Sequence, residues 1–179
     1  MNLKSKKILL GVTGGIAAYK TAIVVRLLKK AGAEVRVVLT RSAEEFITPL
    51  TLAALSEHPV GTDLFEPAAR HEIQHIHWAE WADLALIAPA TANIIGKAAN
   101  GIADDLLSSL ILALQCPVVF APAMHHQMWS HPAVQRNMEI LRGYGYRIIE
   151  PGEGDLASGD VGIGRMREPE EMVAFLKAL

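Results

Sequence analysis

Lys7-Ile8-Leu9-Leu10-Gly11-Val12-Thr13-Gly14-Gly15-Ile16-Ala17-Ala18-Tyr19-Lys20 is the stretch on which the fold turns. Its first half is a short run of apolar, β-branched and glycine residues without polar alternation, the pattern of a strand covered on both faces. Its second half opens on Thr13-Gly14-Gly15, where glycines let backbone amides turn toward an anion at the start of the next helix. The segment therefore predicts a strand, a phosphate cradle and a helix. It matches neither the P-loop pattern nor the glycine spacing of a dinucleotide site, which favours a mononucleotide; a plain tight turn is the alternative from this segment alone.

Working outward, comparable runs recur at Glu34–Leu39, 84–88 and 117–121, with a weaker fifth at 146–149. Between them lie helix-like segments at 17–31, 50–56, 94–115 and 132–143. In the first of these Ile23, Leu27 and Ala31 recur at helical spacing and Gly32 closes the helix. Alternating strand and helix predicts an α/β protein with a doubly wound parallel sheet. Ligands of such sheets gather beyond the carboxyl ends of the strands, so the loops after Thr13, Thr40, Pro89 and Pro122 are the ones to watch.

The tail reads differently. Residues 150–165 carry Gly152, Gly154, Gly159, Gly162 and Gly164 with little periodicity, which predicts a long mobile loop or flap, followed by a helix over 169–179. At 179 residues, with 51% hydrophobic and 20% charged side chains, the chain is expected to form one domain over 1–179. A net charge of -2 supplies no field to attract a polyanion, so nucleic acid is not an expected partner. The apolar run at 8–12 is too short for a signal or membrane segment, and a cytoplasmic location is expected. Cys116, before Pro117 and an apolar stretch, is expected to be a buried structural thiol.

Two further groups carry possible chemistry. In Thr40-Arg41-Ser42-Ala43-Glu44-Glu45-Phe46 the hydroxyls suit a phosphate and Phe46 suits a flat ring; equally, Ser42 and Glu45 suit a capping box with Phe46 in the core. Histidines cluster at His71, His75 and His77, and again at His125, His126 and His131. His71 and His75 lack the glutamate of a zinc helix and the chain offers one cysteine, so no metal site is expected. An imidazole in Gln74-His75-Ile76-His77-Trp78, before a helix-like 79–82 and a buried strand, could accept a proton near neutrality.

Together these segments resemble the phosphopantothenoylcysteine decarboxylase family of homo-oligomeric flavin-containing Cys decarboxylases. The series runs from Thr13-Gly14-Gly15-Ile16-Ala17-Ala18-Tyr19-Lys20 through His75-Ile76, Trp81-Ala82-Asp83, Ala88-Pro89-Ala90-Thr91-Ala92-Asn93 and Pro122-Ala123-Met124 with Met128-Trp129. It ends on Gly159-Asp160-Val161-Gly162-Ile163-Gly164-Arg165-Met166. The resemblance implies a flavodoxin-like, three-layer fold and trimers, or assemblies of trimers such as dodecamers, with FMN at a subunit interface. It implies FMN contacts at Gly14, Gly15, Ile16, Thr40, Ser42, Thr91, Ala92, Asn93, Ile94 and Ala123. His75 matches the family base, while His125, Met128 and Arg165 fall on the substrate side beneath a flap at about 150–166.

The implied reaction is decarboxylation of 4'-phospho-N-pantothenoylcysteine to 4'-phosphopantetheine, by thiol oxidation to a thioaldehyde, loss of carbon dioxide and reduction of an enethiol. The chain departs from the family pattern at two positions. His125 stands where the family commonly has asparagine, and can still donate a hydrogen bond to a carboxylate. Ser158 stands where the family usually has a cysteine that acts as proton donor in the final reduction, and a hydroxyl is a far weaker acid than a thiol. A peptidyl-cysteine decarboxylase that releases an enethiol and a non-catalytic flavin-binding regulatory subunit stay open as alternatives. The family also implies a fused or separate phosphopantothenoylcysteine synthetase as partner.

Overall fold

The computed structural model of the chain describes residues 1–65, 74–155 and 157–179. Five parallel strands form its sheet in the order β2-β1-β3-β4-β5: β1 (Lys7–Val12), β2 (Glu34–Leu39), β3 (Leu84–Ala90), β4 (Val118–Pro122) and the short β5 (Arg147–Ile148). The doubly wound α/β expectation is met. Side chains of β1 leave alternately for the two faces: Ile8, Leu10 and Val12 enter one core, Leu9 the other.

The first core is closed by α1 (Thr21–Lys30), α2 (Pro49–Ser56) and α8 (Pro169–Ala178), through residues such as Val24, Leu28, Leu52, Met172 and Leu176. The second is closed by α3 (Gln74–Trp81), α4 (Ala92–Asn100), α5 (Leu106–Ala113) and α7 (Pro132–Gly143), with a short α6 (His126–Ser130) beside it. Burying strands on both sides removes the apolar runs from water, at roughly 25 cal/mol per Å². At Gly11 a Cβ would meet the Leu107 side chain, so only glycine lets α5 lie this close to β1.

Several local expectations are corrected. The segment 17–31 begins as a 3-10 turn at Ile16–Lys20 before α1, and its buried face is Thr21, Val24, Val25 and Leu28, leaving Ile23 exposed. The glycine cradle delays the helix and so rotates its inward face. The expected helix over 94–115 is two helices. Gly101 ends α4 in the left-handed region (φ 68), and Asp105 starts α5 by accepting the Ser108 N–H at 2.7 Å. Helix α3 starts at Gln74 rather than near 79, so His75 is itself helical. No capping box forms at Ser42. Arg41–Ala43 is a 3-10 turn without a side-chain cap, and Phe46 is exposed rather than in the core. Cys116 is half-buried, because it sits in the loop at the amino ends of the strands rather than in the sheet; its partial burial pushes the thiol pKa up.

The tail is no irregular loop. Its glycine-rich stretch folds into a two-stranded antiparallel hairpin, β6 (Gly152–Asp155) and β7 (Val161–Arg165), before α8. Gly164 (φ 151) fixes where this hairpin docks: its carbonyl accepts the Met124 N–H at 3.0 Å, and a Cβ there would run into the Met124 carbonyl. Periodicity could not reveal a strand in which glycine replaces the side chains that normally carry the signal. Among the described residues, no helix is long and apolar enough to cross a membrane.

Candidate active site

The chain leaves β1 toward β2 on one side and returns to β3 on the other, so the sheet order switches direction at β1 and β3. A cavity of about 590 Å³ opens beyond the carboxyl ends of β1, β3 and β4. Thr13 ties the first two ends together: its hydroxyl donates to the Pro89 carbonyl at 2.5 Å and accepts the Thr91 N–H at 3.2 Å.

The cradle forms one wall. Gly14, Gly15, Ile16, Thr91, Ala92 and Ala123 all line the cavity. Thr91 is the N-cap of α4 yet makes no capping bond with its side chain, so the first N–H groups of that helix, at Ala92, Asn93 and Ile94, have no side chain closing over them. Such a terminus suits an anion. Asn93 is exposed and Ile94 is buried in the second core, so neither side chain lines the cavity; Ile94 can face a ligand only through its backbone.

Thr40 and Ser42 lie beside the cradle rather than in the cavity lining. The Thr40 N–H donates to the Val12 carbonyl at 3.0 Å, and its buried Oγ1 has no hydrogen-bond partner. A buried hydroxyl without a partner is costly and points to a group that would satisfy it. Ser42 packs against Gly14 so closely that a Cβ on Gly14 would overlap it. The uncapped helix terminus, the side-chain-free Gly14 and the orphaned Thr40 hydroxyl together fit a phosphorylated mononucleotide such as FMN.

The hairpin and α6 form the opposite wall, where His125, Met128, Ser158 and Arg165 line the cavity. His125 Nδ1 accepts the Gln127 N–H at 3.3 Å, which leaves Nε2–H to donate to Asp160 Oδ2 at 2.8 Å. The Ser158 hydroxyl donates to the same oxygen at 3.1 Å. Hydrogen bonds from His125 and then Ser158 hold the Asp160 carboxyl below its ordinary pKa. Asp160 stood in the quoted sequence series without a role, and only the fold reveals it as the link between two expected substrate-side residues.

A second polar group was also missed. Lys20 lines the cavity while buried, its Nζ donating to Glu168 Oε1 at 2.9 Å, and Arg165 donates to the same oxygen at 2.7 Å. The Lys20 hydrogen bond is the main reason the Glu168 carboxyl sits below its ordinary pKa. Lys20-Thr21 does follow the glycines, as in a P-loop, but Tyr19 precedes it where a P-loop has glycine, and the ammonium is engaged by Glu168.

His75, half-buried near the start of α3, does not line this chain's cavity among the described residues. His71 lies outside the described residues.

Comparison with known proteins agrees with this geometry. A family model described as Flavoprotein matches residues 1–179. The chain is 53% identical over 171 residues to the coenzyme A biosynthesis bifunctional protein CoaBC of Bacillus subtilis (strain 168), covering 96% of this chain and 42% of that one. It thus spans less than half the length of that curated relative. A solved PPC decarboxylase, a cysteine-to-serine mutant complexed with pantothenoylaminoethenethiol, superposes with a TM-score of 0.88 at 32% identity, covering 98% of both chains. The FMN-dependent cysteine decarboxylase SpaF superposes with a TM-score of 0.83 at 36% identity, covering 99% of both. The whole-length family match and these superpositions make this chain a member of the Flavoprotein family.

Proposed function

We propose that the chain is an FMN-dependent decarboxylase that converts 4'-phosphopantothenoylcysteine to 4'-phosphopantetheine in coenzyme A biosynthesis. The observation that carries this reading is one cavity with two unlike walls, a side-chain-free cradle opposite a polar hairpin. Gly14, Gly15, Thr40 and the amino end of α4 would hold FMN, which when bound supplies the oxidant for the substrate thiol. The relatives support the substrate class, one named for coenzyme A biosynthesis and another complexed with pantothenoylaminoethenethiol.

The protein's own groups have separate tasks. The His125 Nε2–H is now held by Asp160, and an arriving substrate carboxylate or amide would take over that donor, with Arg165 adding positive charge to the same cavity lining. Met128 supplies apolar surface. His75 takes the proton released as the thiol is oxidised. Because His75 does not line the cavity of its own chain, it serves the site of a neighbouring copy, which supports a homo-oligomer, trimeric or built from trimers, with FMN at the subunit interface. A synthetase would be fused or separate, and the reaction cytoplasmic.

A second reading ends at the enethiol. It is favoured by Ser158, whose hydroxyl is committed to Asp160 and is too weak an acid to act as a thiol would. Incubating FMN-loaded protein with 4'-phosphopantothenoylcysteine tests both: carbon dioxide release with 4'-phosphopantetheine supports the first, and a product two hydrogens lighter the second. Colourless protein that binds no added FMN overturns both.

A further inference from the structure

Where α6 meets the hairpin, His125 and Asp160, already on the substrate side of the cavity, are joined by a third side chain, His126, that the proposed decarboxylation leaves unused. One ring nitrogen from each of His125 and His126 and a carboxylate oxygen of Asp160 all lie within 4.8 Å of one another. The two imidazoles come from the amino end of α6 and the carboxylate from the hairpin, so the set spans the junction between them. The rings are already stacked obliquely, their centroids 4.1 Å apart. His126 Nδ1 is buried and has no hydrogen-bond partner. Its ring lies against Gly162, where a Cβ would touch it, so the hairpin shields this nitrogen without satisfying it.

From this geometry we infer that His125, His126 and Asp160 form a binding site for a divalent transition-metal ion, of the zinc class, that pins the hairpin to α6. Two imidazoles and one carboxylate are borderline ligands that suit zinc or cobalt rather than calcium or magnesium, which prefer oxygen. Three protein ligands leave a fourth position for water or a ligand sulfur. Tetrahedral bonds of about 2.0–2.1 Å place ligand atoms roughly 3.4 Å apart, so His125 Nε2 and Asp160 Oδ2, now 2.8 Å apart, would part slightly to admit the ion while the wider ligand pairs, all within 4.8 Å, would draw together. The sequence hid this set because His125 and Asp160 are 35 positions apart and no metal spacing links them.

Zinc titrated calorimetrically into chelator-stripped, FMN-loaded protein should bind at one ion per chain. Asp160→Asn and His126→Gln should each weaken binding at least about tenfold, whereas His77→Gln, in the other histidine group, should leave it unchanged. Saturating zinc should also slow backbone hydrogen exchange across 157–165 by about tenfold, read by mass spectrometry. No saturable binding, binding that survives both Asp160→Asn and His126→Gln, or binding lost in His77→Gln would overturn the site. Zinc that binds without protecting 157–165 would overturn the pinning.

Discussion

The two walls of the cavity are built on opposite principles. The cradle at the ends of β1 and β3 is made of backbone: Gly14 and Gly15, the first N–H groups of α4, and Thr13 bonded to the Pro89 carbonyl. The hairpin wall is made of side-chain polar contacts: Asp160 with His125 and Ser158, and Glu168 with Lys20 and Arg165. A backbone wall has one shape, fixed by the sheet, and suits a resident group. A wall of partly exposed ion pairs costs little to open and suits a substrate that must enter and leave.

The contrast can be broken from either side. The largest effect is expected for His75→Asn, which should lower decarboxylation by about 10²–10⁴-fold while leaving flavin absorbance per chain unchanged. Equal turnover in that variant removes His75 from the chemistry. Gly14→Val comes next. Its side chain has nowhere to go but into Ser42, so flavin content should collapse and stability should drop by about 1–3 kcal/mol, read from absorbance and denaturant unfolding. Normal flavin content there would mean that the backbone wall is not the cofactor wall.

Lys20→Met removes the cation shared between cradle and hairpin, and should cost on the order of 1–2 kcal/mol. It should also alter the response to acid. The folded pKa of Glu168 is depressed, chiefly by the Lys20 hydrogen bond. The stability it contributes is therefore fully present above the unfolded glutamate value and is lost as pH falls through the folded value. Thermal midpoints measured from neutral to acid pH should fall less steeply in Lys20→Met than in the parent protein. An identical slope would show that Glu168 does not draw on Lys20. The smallest effect on the fold is expected for Ser158→Cys, on the exposed hairpin: stability within about 0.5 kcal/mol, with the product shifted toward 4'-phosphopantetheine. An unchanged product ratio would show that the residue at 158 does not decide the outcome.

The glycine turn was legible in the sequence because the apolar strand and the glycines that end it are adjacent residues, although the segment alone left a phosphate cradle and a plain tight turn both open. The hairpin was not. Its strands carry glycine where alternating side chains would have announced them, and where the hairpin docks depends on Gly164 meeting Met124 from a distant segment. The break between α4 and α5 was signalled locally by Gly101 and Asp105, but the apolar run across it reads as one helix until the caps are weighed.

The sequence by itself determined the five-strand alternation, the parallel doubly wound sheet and the position of the glycine turn after β1, because each rests on residues within one turn or strand of one another. Only the tertiary structure decided that Asp160 joins Ser158 to His125, that Lys20 is held by Glu168 from the far end of the chain, and that His75 is not among the described residues that line the cavity. The His125–Asp160 and Lys20–Glu168 pairings join residues far apart in sequence, and their partners are chosen by where the sheet ends, which no local pattern of residues encodes.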